Sequence, residues 1–363
     1  MTTSSVSSDI SADDYAQKLF ASALGAFEIL GAYAGDRLGW YQSLATDGPA
    51  SAAELAARTS TQERYCREWL EMQASFGTLT ADAATTADER RFTLPPGPAE
   101  VLTDEHSLAY LGALPRLIAA VGPQLDNLLQ AYRNGGGVSW AALGDNAREA
   151  QAAFNRPWFE SKLAPALNSC HGLRAVLTRA DIRIVDVGCG GGWSTIALAQ
   201  AYPQAQLVGV DVDPPTIDMA RAAAIEAGVA DRVTFQLAEG ESLSEDDQFD
   251  AAFAFECLHD MPRPVEVLSS IRRSVRSGGP VVIMDEAVAD NFSAPADEVD
   301  QIMYGFSLFV CLPDGLSSTP SAGTGTVMRR QVLTDYATRA GFSRVEVLPI
   351  EDFSFFRFYQ LYG

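Results

Sequence analysis

A chain of 363 residues, 47% hydrophobic and 20% charged, is long enough for two domains and a large core, with the composition of an ordinary globular protein. Its formal net charge of −21 argues against a nucleic-acid backbone or an anionic membrane surface as partner, since both need clustered lysine and arginine. Cys66, Cys170, Cys189, Cys257 and Cys311 are scattered without a C-x-x-C pair or a Cys/His cluster, so neither a metal centre nor a disulfide framework is expected.

The polar start lacks the basic and apolar regions of a secretory signal, and no apolar run approaches membrane-spanning length. A cytoplasmic location is therefore expected, with residues 1–12 as a disordered tail. From Asp13 to Tyr41, apolar residues recur at helical spacing through Leu19, Leu24, Phe27, Leu30 and Tyr33. A short helix follows within 50–60, opened by Ser51 with Glu54 three positions on, the pattern of a capping box. A longer helix is predicted over Gln62–Ser75, then a hairpin with strands at 77–80 and 91–94. Helix, short helix, helix and hairpin make a winged-helix arrangement over 13–104. Such a domain can read DNA through its second short helix. Here Arg64 and Arg67 are balanced by Glu63, Glu68 and Glu71, and the 81–89 loop is acidic, so a dimerisation role is the expectation.

Leu94-Pro-Pro-Gly-Pro98 punctuates the end of that domain. Residues 105–175 read as a helical connector packed on both domains, broken at Pro115, Pro123, Gly135–Gly137 and Pro157, with 154–158 approaching a ligand entrance. Over 176–363 the pattern becomes α/β, with parallel strands near 182–187, 206–211, 232–237, 250–255 and 280–285 and late strands near 344–349 and 353–359. The stretch 290–326, rich in Phe, Leu, Gly, Ser and Pro, interrupts that order and reads as a long loop, a lid or substrate cap in preference to a second dimer contact.

Within this domain a β-branched run reaches Asp186 and passes through Gly188, Gly190 and Gly192 into a helix. Glycines there let the backbone take positive φ and let a ligand lie against bare main chain. A second strand ends at Asp211, about twenty residues past the loop, where a doubly wound fold places a ribose-binding carboxylate. A dinucleotide fingerprint fits poorly, because Trp193 stands where its third glycine belongs. Asp-x-Gly-x-Gly-x-Gly followed by Gly-x-Asp instead resembles the S-adenosylmethionine (SAM) site of class I methyltransferases. The resemblance continues through 231–240, Phe249-Asp250 and 277–284, and covers roughly Leu173 to the C-terminus. Residues 34–41 and 67–70 resemble the N-terminal winged-helix domain of bacterial, especially actinobacterial, small-molecule O-methyltransferases. It implies a Rossmann-like seven-stranded methyltransferase domain behind an α-rich winged-helix domain that forms a homodimer.

By that resemblance Asp186, Gly188, Gly190 and Gly192 flank the methionine arm of SAM, Asp211 holds the ribose, and Val212, Glu239 and Gly240 border the adenine, with Phe255 nearby. Asp213 competes with Asp211 but reads equally as a helix cap. The segment 255–262 resembles one that presents a His-Asp pair over the transferred methyl, which makes His259 the candidate general base and Glu286, at the end of the fifth strand, the residue orienting it. The bland alternative for His259 is a helix-opening residue bonded to backbone. Trp158, Tyr304 and Phe309 are candidates to meet a small, partly apolar acceptor or simply to fill core, and Arg329 and Arg330 could bind a substrate carboxylate or pair with surface acids. Hydroxyl methylation is the expected reaction. Methyl transfer to nitrogen or sulfur, and a SAM-sensing transcriptional regulator, are the alternatives.

Overall fold

The computed structural model describes residues 10–83 and 86–363. The expected tail, 1–12, therefore lies outside the described residues up to position 9; beyond it Ser11 already caps a helix by accepting from the Asp14 N–H. The chain divides into two compact units, 1–119 and 120–363. The division falls inside the stretch expected as a connector.

In the first unit, α1 (Ala12–Arg37) and α2 (Trp40–Thr46) are separated at Gly39, whose φ of 69° ends the single helix that the periodicity suggested. α3 (Ala52–Thr59) opens with the capping box of Ser51 and Glu54, and α4 (Glu63–Ser75) follows. A two-stranded hairpin, β1 (Thr80–Ala81) with β2 (Phe92–Thr93), completes the wing. Trp40, Tyr41, Leu55, Cys66, Trp69, Leu70 and Phe92 form its core. α1 joins this core only at its C-terminal end. There Gly31 and Gly35 let Met72, Gln73 and Trp69 approach, and the Trp69 indole N–H donates to the Gly31 carbonyl. Tyr15, Leu19, Phe20, Leu24, Phe27 and Leu30, further towards its start, stay exposed. Residues 105–119 belong to this unit in part because Arg116 makes a two-pronged bond, 2.5 and 2.7 Å, to Asp36.

The second unit is a seven-stranded sheet with β3 (Arg183–Val187), β4 (Gln206–Asp211), β5 (Val233–Leu237), β6 (Ala251–Phe255), β7 (Val281–Glu286), β8 (Arg344–Val347) and β9 (Phe356–Tyr362) in the order β5-β4-β3-β6-β7-β9-β8. β3 to β7 are mutually parallel, whereas β9 runs antiparallel between β7 and β8. Strand order reverses between β3 and β6, and ligands of open α/β sheets bind beyond the strand ends at such a switch point. Two apolar clusters cover the faces, one through Ile184, Phe253 and Met284, the other through Val185, Ala252 and Ile283. Successive strand residues face opposite layers, so both layers read as continuous hydrophobic runs in the sequence.

Two segments frame the strand ends. The helix Trp140–Trp158 is tied to the sheet by Arg148, bidentate on Asp213, and by Arg156 over the Trp193 ring. The expected lid over 290–326 is largely helical: Glu298–Phe306, a π-helical turn Ser307–Cys311, and Leu312–Gly315. Asp297 caps the first helix, and buried Asp300 accepts from the Ala289 N–H and pairs with Arg329. Arg329 thus pairs with a buried acid, where the sequence suggested a surface one or a substrate carboxylate. Among the described residues, no helix is long and apolar enough to cross a membrane.

Candidate active site

The glycine loop after β3 is built for close approach at one point and for packing at others. Gly192, at φ 83°, has Phe235 and Ala220 within 2.9 Å of where a Cβ would stand, so it serves contact between helix and sheet. Gly188 is likewise crowded by Cys257. Gly190, at φ 50°, meets nothing within 4 Å, which leaves bare backbone facing open space. Asp186 does not face that space with both oxygens: Oδ2 accepts from the Ser194 and Thr195 hydroxyls at 2.6 Å each, while Oδ1 has no partner. Burial pushes its carboxyl up to about 6.

Asp211 ends β4 beside this loop. Its Oδ2 accepts from the Gly190 N–H at 2.9 Å and its Oδ1 from the Asp213 N–H at 3.0 Å, which fixes the carboxylate and leaves further lone pairs for two hydroxyls. Val212 beside it is 64% exposed, a large apolar side chain left to cover a flat ring. Asp213 is the cap of the next helix, accepting from the Thr216 N–H, and is occupied by Arg148. Glu239 is exposed and held by Arg263 at 2.9 Å, which Glu241 also binds. Gly240 packs against Val187 and Val267 and so supports the loop more than it lines it. Bare backbone, a fixed carboxylate and an exposed apolar flank fit the methionine arm, ribose and adenine of SAM.

Beyond β6 and β7 lies a buried, acid-rich chamber around His259, which is 2% exposed. Its Nδ1 lies 2.9 Å from Asp285 Oδ1 and 3.3 Å from Glu286 Oε2; its Nε2 lies 3.3 Å from Asp260 Oδ1. The expected orienting residue was Glu286, but the shorter bond is from Asp285, whose Oδ1 is itself fixed by the Glu286 N–H at 3.1 Å. His259, Asp260 and Cys311 form a second tight group, with ligand atoms within 4.8 Å of one another. Burial alone would pull the imidazole down, but Asp260, Asp285 and Glu286 together raise it well above its usual value. Burial pushes Glu286 well up, whereas for Asp285 burial is outweighed by the attraction of His259 together with hydrogen bonds from His259 and Glu286, which hold it low.

Other sequence candidates fall elsewhere. Phe255, expected near the cofactor, is packed in the core on Phe253 and Phe159, because strand alternation turns it to the same layer as Phe253. Trp158 packs on Phe353 at 5.6 Å between ring centroids. Tyr304 and Phe309 are 40% and 37% exposed on the cap, with the Tyr304 hydroxyl accepting from Arg329. The π-helical turn reaches the chamber through Cys311 instead. Asp285, Cys311 and Glu256 were not singled out from the sequence; the only signal was their place at or just after a strand end, or within the cap.

Comparison with known proteins agrees with this geometry. Residues 184–279 match a methyltransferase domain model, and 27–104 match an Rv2258c-like winged HTH domain. Over 149 residues, 40% of this chain, it is 30% identical to 27-O-demethylrifamycin SV methyltransferase of Amycolatopsis mediterranei, of which it covers 54%. The chain thus spans about half the length of that curated relative. Its fold matches mitomycin 7-O-methyltransferase MmcR with a TM-score of 0.69 at 20% identity, covering 97% of this chain and 98% of that one. It also matches human N-acetylserotonin methyltransferase in complex with SAM, with a TM-score of 0.66 at 17% identity over 99% of each chain. The chain thus carries a methyltransferase domain over 184–279 behind an Rv2258c-like winged HTH domain over 27–104, in a fold shared with these methyltransferases.

Proposed function

We propose that this enzyme methylates a hydroxyl oxygen of a small, partly apolar metabolite in the cytoplasm, with His259 accepting the hydroxyl proton. When bound, SAM supplies the methyl group as an electrophile on a sulfonium. Gly188, Gly190 and Gly192 flank its methionine arm, Asp211 holds the ribose, and Val212 and Glu239 border the adenine. The observation that carries the base role is the clamp on one ring nitrogen: Asp285 engages Nδ1, which leaves Nε2 as the nitrogen to take a proton. Asp260 Oδ1, buried 3.3 Å from Nε2 and without a hydrogen-bond partner, is placed to pair with the ring once Nε2 has taken the proton. Because three carboxylates raise the imidazole, the neutral, basic form grows as pH rises, and turnover should rise with it. Oxygen is also the acceptor named for the Amycolatopsis relative and for MmcR.

The excess of acids around His259 favours one second reading, an amine acceptor whose positive form those carboxylates would attract. A metabolite screen for SAM-dependent mass gain of one methyl, repeated with His259→Ala, separates the two. Loss of roughly 10²–10⁴-fold in turnover supports the base; near-native turnover on an amine would replace it with proximity catalysis.

For the winged helix we propose homodimerisation rather than DNA contact. In α4, Arg64 pairs with Glu68, and Arg67 with Glu63 and Asp88, so neither cation is free for a phosphate. The exposed apolar side chains of α1 are the surface for a second copy.

A further inference from the structure

Glu256 is the first residue after β6 and takes φ 53°, a left-handed conformation that a residue with a Cβ adopts at a cost. Strain at a strand end beside a ligand site is retained when the side chain is needed there. Its position is fixed from two sides. Cys257, the next residue, crowds Gly188 and lies 3.1 Å from the Val187 carbonyl, so Glu256 adjoins the glycine loop. Asn155, on the helix Trp140–Trp158, donates to Glu256 Oε2, and Ala152 of that helix approaches Gly191. His259 stands three residues further on. Glu256 therefore sits between the loop that cradles the methionine arm and the imidazole that meets the acceptor, the interval in which a sulfonium must lie for methyl transfer. Buried Asn155 keeps its Oδ1 without a hydrogen-bond partner, a second acceptor at the same point.

We propose that Glu256 reads the charge of the cofactor, favouring the sulfonium of SAM over its neutral demethylated product and so helping that product to leave. This inference rests on the assignment of the glycine loop to the methionine arm of SAM, and not on the base role of His259. The electrostatics support it. Burial pushes the Glu256 carboxyl up to about 7, against the opposing pull of Asn155 and His259. The groups facing it are His259 from its own segment, Asp285 and Glu286 from β7, and the uncharged Gln151 and Asn155. A cation beside it favours the ionised form, so SAM should bind more tightly as pH rises through about 7, with release of a proton below that pH.

The test is calorimetric binding of SAM and of S-adenosylhomocysteine to the full chain from pH 6 to 8, for wild type, Glu256→Gln and Glu256→Asp. In Glu256→Gln, SAM affinity should fall about ten- to a hundredfold, the size of one partly buried charge contact, while the product's affinity stays within a few-fold. The pH dependence of the SAM preference should vanish, and Glu256→Asp should restore part of both. Thermal melts establish that each variant is folded. Equal losses for both ligands would overturn the proposal in favour of a structural role. Unchanged binding of both, with a raised KM for the acceptor, would assign Glu256 to the acceptor instead. Failure of wild type to bind either ligand would refute the cofactor site itself, a result distinct from these.

Discussion

Asp285→Asn isolates one charge with little change of shape. Asp285 Oδ1 accepts from the Glu286 N–H and meets His259 Nδ1 at 2.9 Å, and an asparagine can present its carbonyl oxygen to both. The ring keeps its orientation, and the variant loses a negative charge from one side of the imidazole. An opposite charge within about 4–6 Å shifts a pKa by roughly 1–3 units. The His259 midpoint, held well above its usual value by Asp260, Asp285 and Glu286, should therefore fall by about that amount as burial gains weight. The chain contains only three histidines, His106, His171 and His259, so ring signals can be assigned by difference with His259→Ala. Proton NMR across pH 5 to 10 gives the midpoints without any knowledge of the acceptor. The limb on which turnover rises with pH should move to lower pH in parallel. A wild-type His259 that titrates at or below about 6.5 would refute the electrostatic reasoning.

Four further outcomes follow from the same geometry. Asp211→Ala should weaken SAM binding by about 2–3 kcal/mol by calorimetry, as charged hydrogen bonds to two hydroxyls are lost; unchanged affinity would mean the ribose is held elsewhere. Gly192→Ala should cost about 1–3 kcal/mol of stability, since Phe235 and Ala220 occupy the space of its Cβ, whereas Gly190→Ala should stay folded and raise the KM for SAM; equal melting temperatures would contradict the distinction. Burial raises Asp186 to about 6 and Glu256 and Asp314 to about 7, each above its unfolded value, so the stability they contribute is complete in acid and lost as pH rises through those values. The ligand-free protein should thus be more stable near pH 5 than near pH 8 by several kcal/mol and melt at a higher temperature there; a rise in melting temperature with pH would contradict this. Leu19→Glu with Phe27→Glu, both 61% exposed, should leave the winged-helix melt unchanged and yield a monomer by light scattering; a persisting dimer would place the interface elsewhere.

What was legible in the sequence was local and periodic. The glycine loop, the acid at the end of β4 and the Ser51 capping box each depend on spacing along a few residues, and each is found in the structure. Side-chain facing at strand ends was harder to read, because a shift of one residue reverses it. Asp285 and Glu286 are adjacent and both buried, and only their geometry shows which makes the shorter bond to Nδ1. Phe255 and Glu256 are the same case: alternation buries the first in the core, and the positive φ of the second turns the chain towards the chamber. The cap misled by composition, since its Gly, Ser and Pro suggested a loop. The cap of Asp297 and the buried pairing of Asp300 with Arg329 instead hold a helix whose π-helical turn carries Cys311 towards His259.

The costs borne by this fold are concentrated at the same strand ends. Asp186, Asp260, Asp285 and Glu286 each keep a buried oxygen without a hydrogen bond, Glu256 is strained, and most of these acids are raised by burial. A domain selected for stability alone would replace such groups with apolar side chains of similar size. The grouping of Glu256, Asp260, Asp285 and Glu286 around one imidazole has a single electrostatic consequence: a positive charge placed among them is favoured, and its loss is felt by every member. In the proposed reaction, methyl transfer removes the cofactor's charge, and the acceptor hydroxyl's proton would supply one to His259. The acids would then face a cation before and after the chemistry, first on sulfur and then on the ring, so that one preorganised cluster would serve both states.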